Sequence, residues 1–309
     1  MAMRLFWAFI IIGVALLPSN AGPMQIKPLQ TTEIAPGVYA YQGEVALMNA
    51  GNQGSIANLG FIIGTQAVAV IDTGGSVQEG LALRAAIITL TDKPIRYVIN
   101  THVHPDHLFG NAAFAGATFI GHKNLPRALA TRGPYYLSSF RNAMGAALLD
   151  EVKLIPPSRL VEDTLKLDLG DREIILKAWK SAHTDCDLTV FDTKTATLFA
   201  GDLVFLQHLP VIDASLLGWI SVFDELAALP AKRVVPGHGP IEIDWPDALK
   251  TERTYFDKLA KDLRAMIARN ATIAEAAEQA GQSEADKWKL FSDYNARNAT
   301  AAFKELEWE

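Results

Sequence analysis

The stretch Thr101-His102-Val103-His104-Pro105-Asp106-His107 constrains this chain more than any other. It puts three histidines and one carboxylate within six residues, in a chain with only seven histidines. Residues 95–100, rich in apolar and β-branched side chains, precede it and read as a short buried strand. A strand end feeding a His-rich turn is a rigid place to present ligands. Imidazole nitrogen with carboxylate oxygen suits zinc, and also iron or manganese.

Three more residues extend this set. His183 lies in Ser181-Ala-His-Thr-Asp-Cys-Asp187, a turn between two predicted strands. Asp202 follows Ala200-Gly201, directly after a predicted strand, and His238 lies in Pro236-Gly-His-Gly-Pro240, after another. Such positions can converge on one rim of a sandwich. His102, His104, Asp106, His107, His183, Asp202 and His238 make seven donors, which matches two metals sharing one carboxylate and a bridging water. A single metal leaves three good ligands unemployed.

The remaining pattern frames these turns. Residues 56–63 and 67–71 predict a hairpin closed by Asp72-Thr-Gly, and residues 77–90 a helix. Residues 117–120 predict a strand with His122 just after it, in a structural role, and residues 124–131 a helix. Gly170-Asp171 marks a hairpin between residues 164–169 and 173–179. Strands follow at 188–191, 197–200 and 233–235, with a short helix at 222–229 and helices from about residue 245. Strands in two runs, each followed by helices, predict an α+β chain with two packed sheets and helices outside. No linker stands out, so residues 22–309 are read as one domain.

The N-terminus reads as a signal peptide, residues 1–21. Arg4 supplies a positive start, residues 5–17 are apolar, and Ser19 and Ala21 are the small residues of a cut after Ala21. The expected location is therefore periplasmic or secreted, with no membrane insertion of the mature chain. A single cysteine, Cys186, rules out an intrachain disulfide and reads as a small buried residue. The net charge is −6 without a Lys/Arg run, so nucleic-acid binding has no support.

The order His-x-His-x-Asp-His, then His183, Asp202 and His238, with Asp72-Thr-Gly and Pro-Gly-His-Gly, resembles the metallo-β-lactamase superfamily. The resemblance covers residues 37–240 and implies an αββα sandwich of two mixed sheets with a metal site on one edge. It implies two zinc ions: His102, His104 and His183 on the first, Asp106, His107 and His238 on the second, and Asp202 as the bridge. A bridging Asp places the chain nearer the glyoxalase-II and lactonase branches than the β-lactamases, with β-lactam hydrolysis possible as a side activity. Gly201-Asp-Leu-Val-Phe, His208-Leu-Pro210, Asp213-x-Ser215-Leu216 and Gly218-Trp219 resemble a periplasmic branch associated with PQQ-dependent quinoproteins and SoxH-type proteins. That branch often carries Gly where this chain has Ala214.

The implied activity is hydrolysis of a small-molecule ester, thioester, lactone or amide by hydroxide held between two zinc ions, with Asp106 orienting it. Asp72 is expected to support the ligands from behind. The loops 43–55 and 207–219 are expected to select the substrate, with His208 and Asp213 facing the site. Neither loop holds Lys or Arg, which weakens a phosphodiester or anionic-thioester preference. Two alternatives stay open: a mononuclear iron enzyme oxidising persulfides, and a non-catalytic accessory of a periplasmic quinoprotein.

Overall fold

A computed structural model describes residues 26–241 and 243–309. The proposed signal segment and its cleavage point lie outside the described residues. Among the described residues no helix is long and apolar enough to cross a membrane.

The first sheet has seven strands in chain order: β1 (Thr32–Ala35), β2 (Val38–Tyr41), β3 (Leu59–Ile63), β4 (Val68–Ile71), β5 (Ile95–Ile99), β6 (Thr118–His122) and β7 (Arg159–Val161). Its first four strands pair antiparallel, and β4 to β7 run parallel. The switch to parallel pairing at β4 needs a crossover. Helix α1 (Val77–Leu90) provides it, started by Ser76, whose hydroxyl accepts the Glu79 N–H. All four residues of β4 are buried, as a strand covered on both faces requires.

The second sheet has six strands: β8 (Thr164–Asp168), β9 (Glu173–Ala178), β10 (Leu188–Asp192), β11 (Thr197–Phe205), β12 (Arg233–His238) and β13 (Ile243–Asp244), ordered β13-β12-β11-β10-β9-β8. The two sheets face each other across Ile62, Ile71, Ile99, Leu176, Val190 and Phe199. Burial of such side chains is worth ~1.5–3 kcal/mol each, and it fixes the relative position of the strand ends.

Helices cover both outer faces. Leu83 and Ile87 of α1 pack on Phe61, Val68 and Val98 of the first sheet. On the second sheet lie α6 (Leu216–Ala227), α7 (Leu249–Ala268), α8 (Ile273–Gln279) and α9 (Phe291–Leu306), with Trp219, Tyr255, Phe256 and Leu259 fully buried among them. The C-terminal helices are therefore the outer layer of the sandwich. The αββα fold expected from the sequence is the one observed.

Several boundaries differ from the expectation. Strand β11 runs on to Phe205, so Asp202 lies within a strand and not after it. Register shifts at Phe199/Gly201 and Gly201/Phe205 break the β11–β12 pairing, and the alternation of faces breaks with them. His238 is likewise the last residue of β12. Trp219 belongs to α6, which starts six residues before the expected 222 because Ser215 caps it by accepting the Gly218 N–H. The short α2 (Pro105–Leu108) follows β5, and residues 124–150 form α3 (Leu125–Ser139), α4 (Arg141–Met144) and α5 (Ala146–Leu149). These short helices wall one side of the site.

Candidate metal centre

All seven donors converge at one rim of the two sheets. His102 and His104 come from the β5–α2 turn, Asp106 and His107 from α2, His183 from the β9–β10 turn, Asp202 from β11 and His238 from β12. The fold gathers them into two groups, His102/His104/His183/Asp202 and Asp106/His107/His238, with ligand atoms of each group within 4.8 Å of one another. Asp202 belongs to both in space. Its Oδ2 lies 3.7 Å from His102 Nε2, 3.3 Å from His183 Nε2 and 3.4 Å from His238 Nε2, and its Oδ1 lies 3.1 Å from His107 Nε2. Asp106 Oδ2 lies 3.3 Å from His238 Nε2. This close approach depends on Gly237, since a Cβ there would stand 1.9 Å from Asp202 Oδ1.

Each imidazole is oriented by its other nitrogen. His183 Nδ1 donates to the Val211 carbonyl at 2.7 Å, and His238 Nδ1 to the Ile56 carbonyl at 3.0 Å. His107 Nδ1 donates to Asp72 Oδ2 at 2.8 Å, and His104 Nε2 to Asp213 Oδ2 at 3.1 Å. His102 Nδ1 stands 3.0 Å from the Thr101 hydroxyl, which itself donates to Asp72. Five histidines held from behind in this way leave five nitrogens aimed inward, as metal-binding histidines require.

The inward atoms are placed where a cation could engage them. His102 Nε2, His107 Nε2 and Asp202 Oδ1 are buried without a well-formed hydrogen bond. Burial works to raise the pKa of Asp106 and of Asp202, but the facing imidazoles hold both carboxylates charged, Asp106 down at about 2. Burial opposes protonation of His238 and His107, yet Asp202 and Asp106 outweigh it and push His238 up to about 9. Burial takes His183 down to about 3. The cluster therefore balances two buried carboxylates with protons where divalent ions would serve, and the donor set fits two such ions.

Asp72 touches no inward atom. Its carboxylate accepts from Thr101 N, Thr101 Oγ and His107 Nδ1, at a φ of +57° that Asp tolerates. His122 accepts the Asn124 N–H with Nδ1 and lines no part of the cavity. Cys186 is fully buried, and burial pushes its thiol up, so it is inert.

A cavity of about 780 Å³ opens over the cluster. Leu47, Met48 and Ile56 of the 43–56 segment line it, as do His208 and Asp213. His208 donates from Nδ1 to the Leu209 carbonyl at 2.6 Å, and its ring lies 4.9 Å from that of His238. Burial and the neighbouring His238 bring it down to about 4, so it is neutral. The two loops bring no Lys or Arg side chain to the cavity, but other elements do. Arg132 of α3 and Arg297 of α9 line it with Tyr136 and Tyr294. Both lie outside the two loops, on helices whose sequence carries no sign of the site.

A family model for the metallo-beta-lactamase superfamily matches residues 53–238, well over half of the chain. The chain belongs to the metallo-beta-lactamase superfamily. Its superfamily relatives include a linear primary-alkylsulfatase of Pseudomonas sp. (strain ATCC 19151), 24% identical over 207 residues, 55% of this chain and 39% of that one. Among solved structures, the inverting sec-alkylsulfatase Pisa1 from Pseudomonas sp. aligns with TM-score 0.71 at 15% identity, over 89% of this chain and 50% of Pisa1. A metallo-beta-lactamase from Pontibacter korlensis aligns with TM-score 0.60 at 20% identity, over 74% of this chain and 99% of its own. This superfamily member thus spans half or less of the alkylsulfatases it resembles.

Proposed function

We propose that this protein is a dinuclear zinc hydrolase acting on a small organic molecule with an ester, thioester, lactone or amide bond. The observation that carries the reading is Asp202, whose two oxygens approach four imidazoles drawn from both ligand groups. His102, His104 and His183 would hold one ion, Asp106, His107 and His238 the other, and Asp202 would touch both. Two zinc ions would supply a water nucleophile active at neutral pH and polarise the oxygen of the bond under attack. Asp106, which lines the cavity, would accept a hydrogen bond from that water and so orient it. The apolar wall of Leu47, Met48, Ile56 and Phe140 excludes water and takes the organic part of the substrate.

The test is turnover of an aryl ester and lactone panel by the zinc-loaded protein, compared with His102→Ala and Asp106→Asn. Each substitution is expected to lower kcat/KM by at least about 10³-fold, with the circular dichroism spectrum unchanged. An unimpaired double variant overturns the reading.

A second reading, sulfate-ester hydrolysis, has one observation behind it. The likeness to an alkylsulfatase covers 89% of the chain, against 74% for the β-lactamase. Release of inorganic sulfate from a series of alkyl sulfates separates the two. The N-terminal segment supports action outside the cytoplasm, and a quinoprotein partner remains a proposal that a pull-down tests.

A further inference from the structure

Asp213 holds together three groups from distant parts of the chain. Its Oδ2 accepts from the metal-site histidine His104 and from Arg132 of α3, and its Oδ1 accepts from Arg297 of α9 at 2.6 Å. One carboxylate thus faces two guanidinium groups. The surplus is one positive charge. Among the described residues lining the cavity, Arg132 and Arg297 are the Lys/Arg side chains, and the other carboxylates there, Asp106 and Asp202, belong to the metal cluster.

The arginines are not used up by this contact. A guanidinium has five N–H donors in a fixed fork. Arg297 spends one on Asp213 and its side chain is 52% exposed, while Arg132 also bonds Asp213 and is 31% exposed. Both stand on helices, and Asp213 restrains both, so their remaining donors are pre-positioned. The opposite wall has another character. Ile56, whose carbonyl accepts from His238, and Met48 place apolar surface beside the second ligand group.

We propose that Arg132 and Arg297 form an anion-binding subsite on the His104 side, so that the molecule taken by this cavity carries a non-reacting carboxylate besides its reacting group. This rests on the small-molecule site described above. The acidic end would lie toward His104 and the apolar part toward Met48 and Ile56. Asp213 is then the positioning residue for both the forks and the first-metal histidine. Arginine is suited to the task because its fork takes a carboxylate through two bonds.

The test does not need turnover, so a failure of the hydrolase reading would show separately. Calorimetry on the zinc-loaded full chain measures binding of α,ω-dicarboxylates of four to eight carbons against monocarboxylates of the same length. At the best length the second carboxylate should tighten binding about tenfold or more, and rising salt should erode the gain. Arg297→Gln and Arg132→Gln should each remove most of that ratio, and Arg297→Lys should restore part of it. No gain at any length, or a gain unchanged in both Gln variants, overturns the proposal and leaves the Arg–Asp–Arg contact as a pin between α3 and α9.

Discussion

Asp72 Oδ2 accepts a hydrogen bond from His107 Nδ1 at 2.8 Å, and the same carboxylate also accepts from Thr101, one residue before His102. One side chain at the end of β4 therefore fixes members of both candidate ligand groups. In Asp72→Asn the backbone at φ +57° is still tolerated, but an amide cannot accept from all three donors. Zinc affinity should fall by about 10–100-fold, read by competition with a chromophoric chelator, while unfolding stays cooperative.

Glu79 of α1 is buried behind the same cluster. Burial raises its carboxyl, against the Ser55 and Gly75 contacts that lower it, to about 7. A raised carboxyl makes the folded state bind more protons than the unfolded state between about pH 4.5 and 7. Stability should therefore fall as pH rises through that window, by up to about 3 kcal/mol from this group. Glu79→Gln, neutral throughout, should flatten that part of the urea-unfolding profile at matched zinc loading. An identical slope in both proteins would contradict the assignment.

Much of the centre was legible in the sequence, because each donor stands in a short turn or beside a glycine at the end of a strand-like run. Gly237 and Gly201 next to His238 and Asp202 are there for close approach, and that pattern is local. The long β11 was not legible past Ala200. Its bulges break the alternation of faces, and every one of its residues is buried. Arg132 and Arg297 could not be seen at all. They are ordinary polar residues of two helices, brought to one carboxylate by tertiary packing alone. His208 and Asp213 stood out as polar residues in an apolar segment, and both line the cavity.

Away from the centre, Arg172 at the start of β9 ties the two sheets together. It pairs with Asp192 through two 2.8 Å bonds and donates to the carbonyls of Pro36 and Ile63 in the other sheet's hairpins. Burial works to raise Asp192, and the bonds from Arg172 and Thr195 outweigh it and hold it low. Its contribution is thus present above the ordinary carboxylate range near pH 4 and lost as pH falls below it. Asp192→Ala leaves a buried guanidinium unpaired and should cost about 3–5 kcal/mol in urea unfolding at pH 7. A loss under about 1 kcal/mol would show that the pair contributes little.

The most direct measurement is metal content per chain, by elemental analysis of the protein purified without added metal. Two zinc ions per chain, falling to about one in His102→Ala, is the predicted result. One iron per chain, unchanged by loss of the Asp106/His107/His238 group, would contradict the dinuclear hydrolase and favour persulfide oxidation.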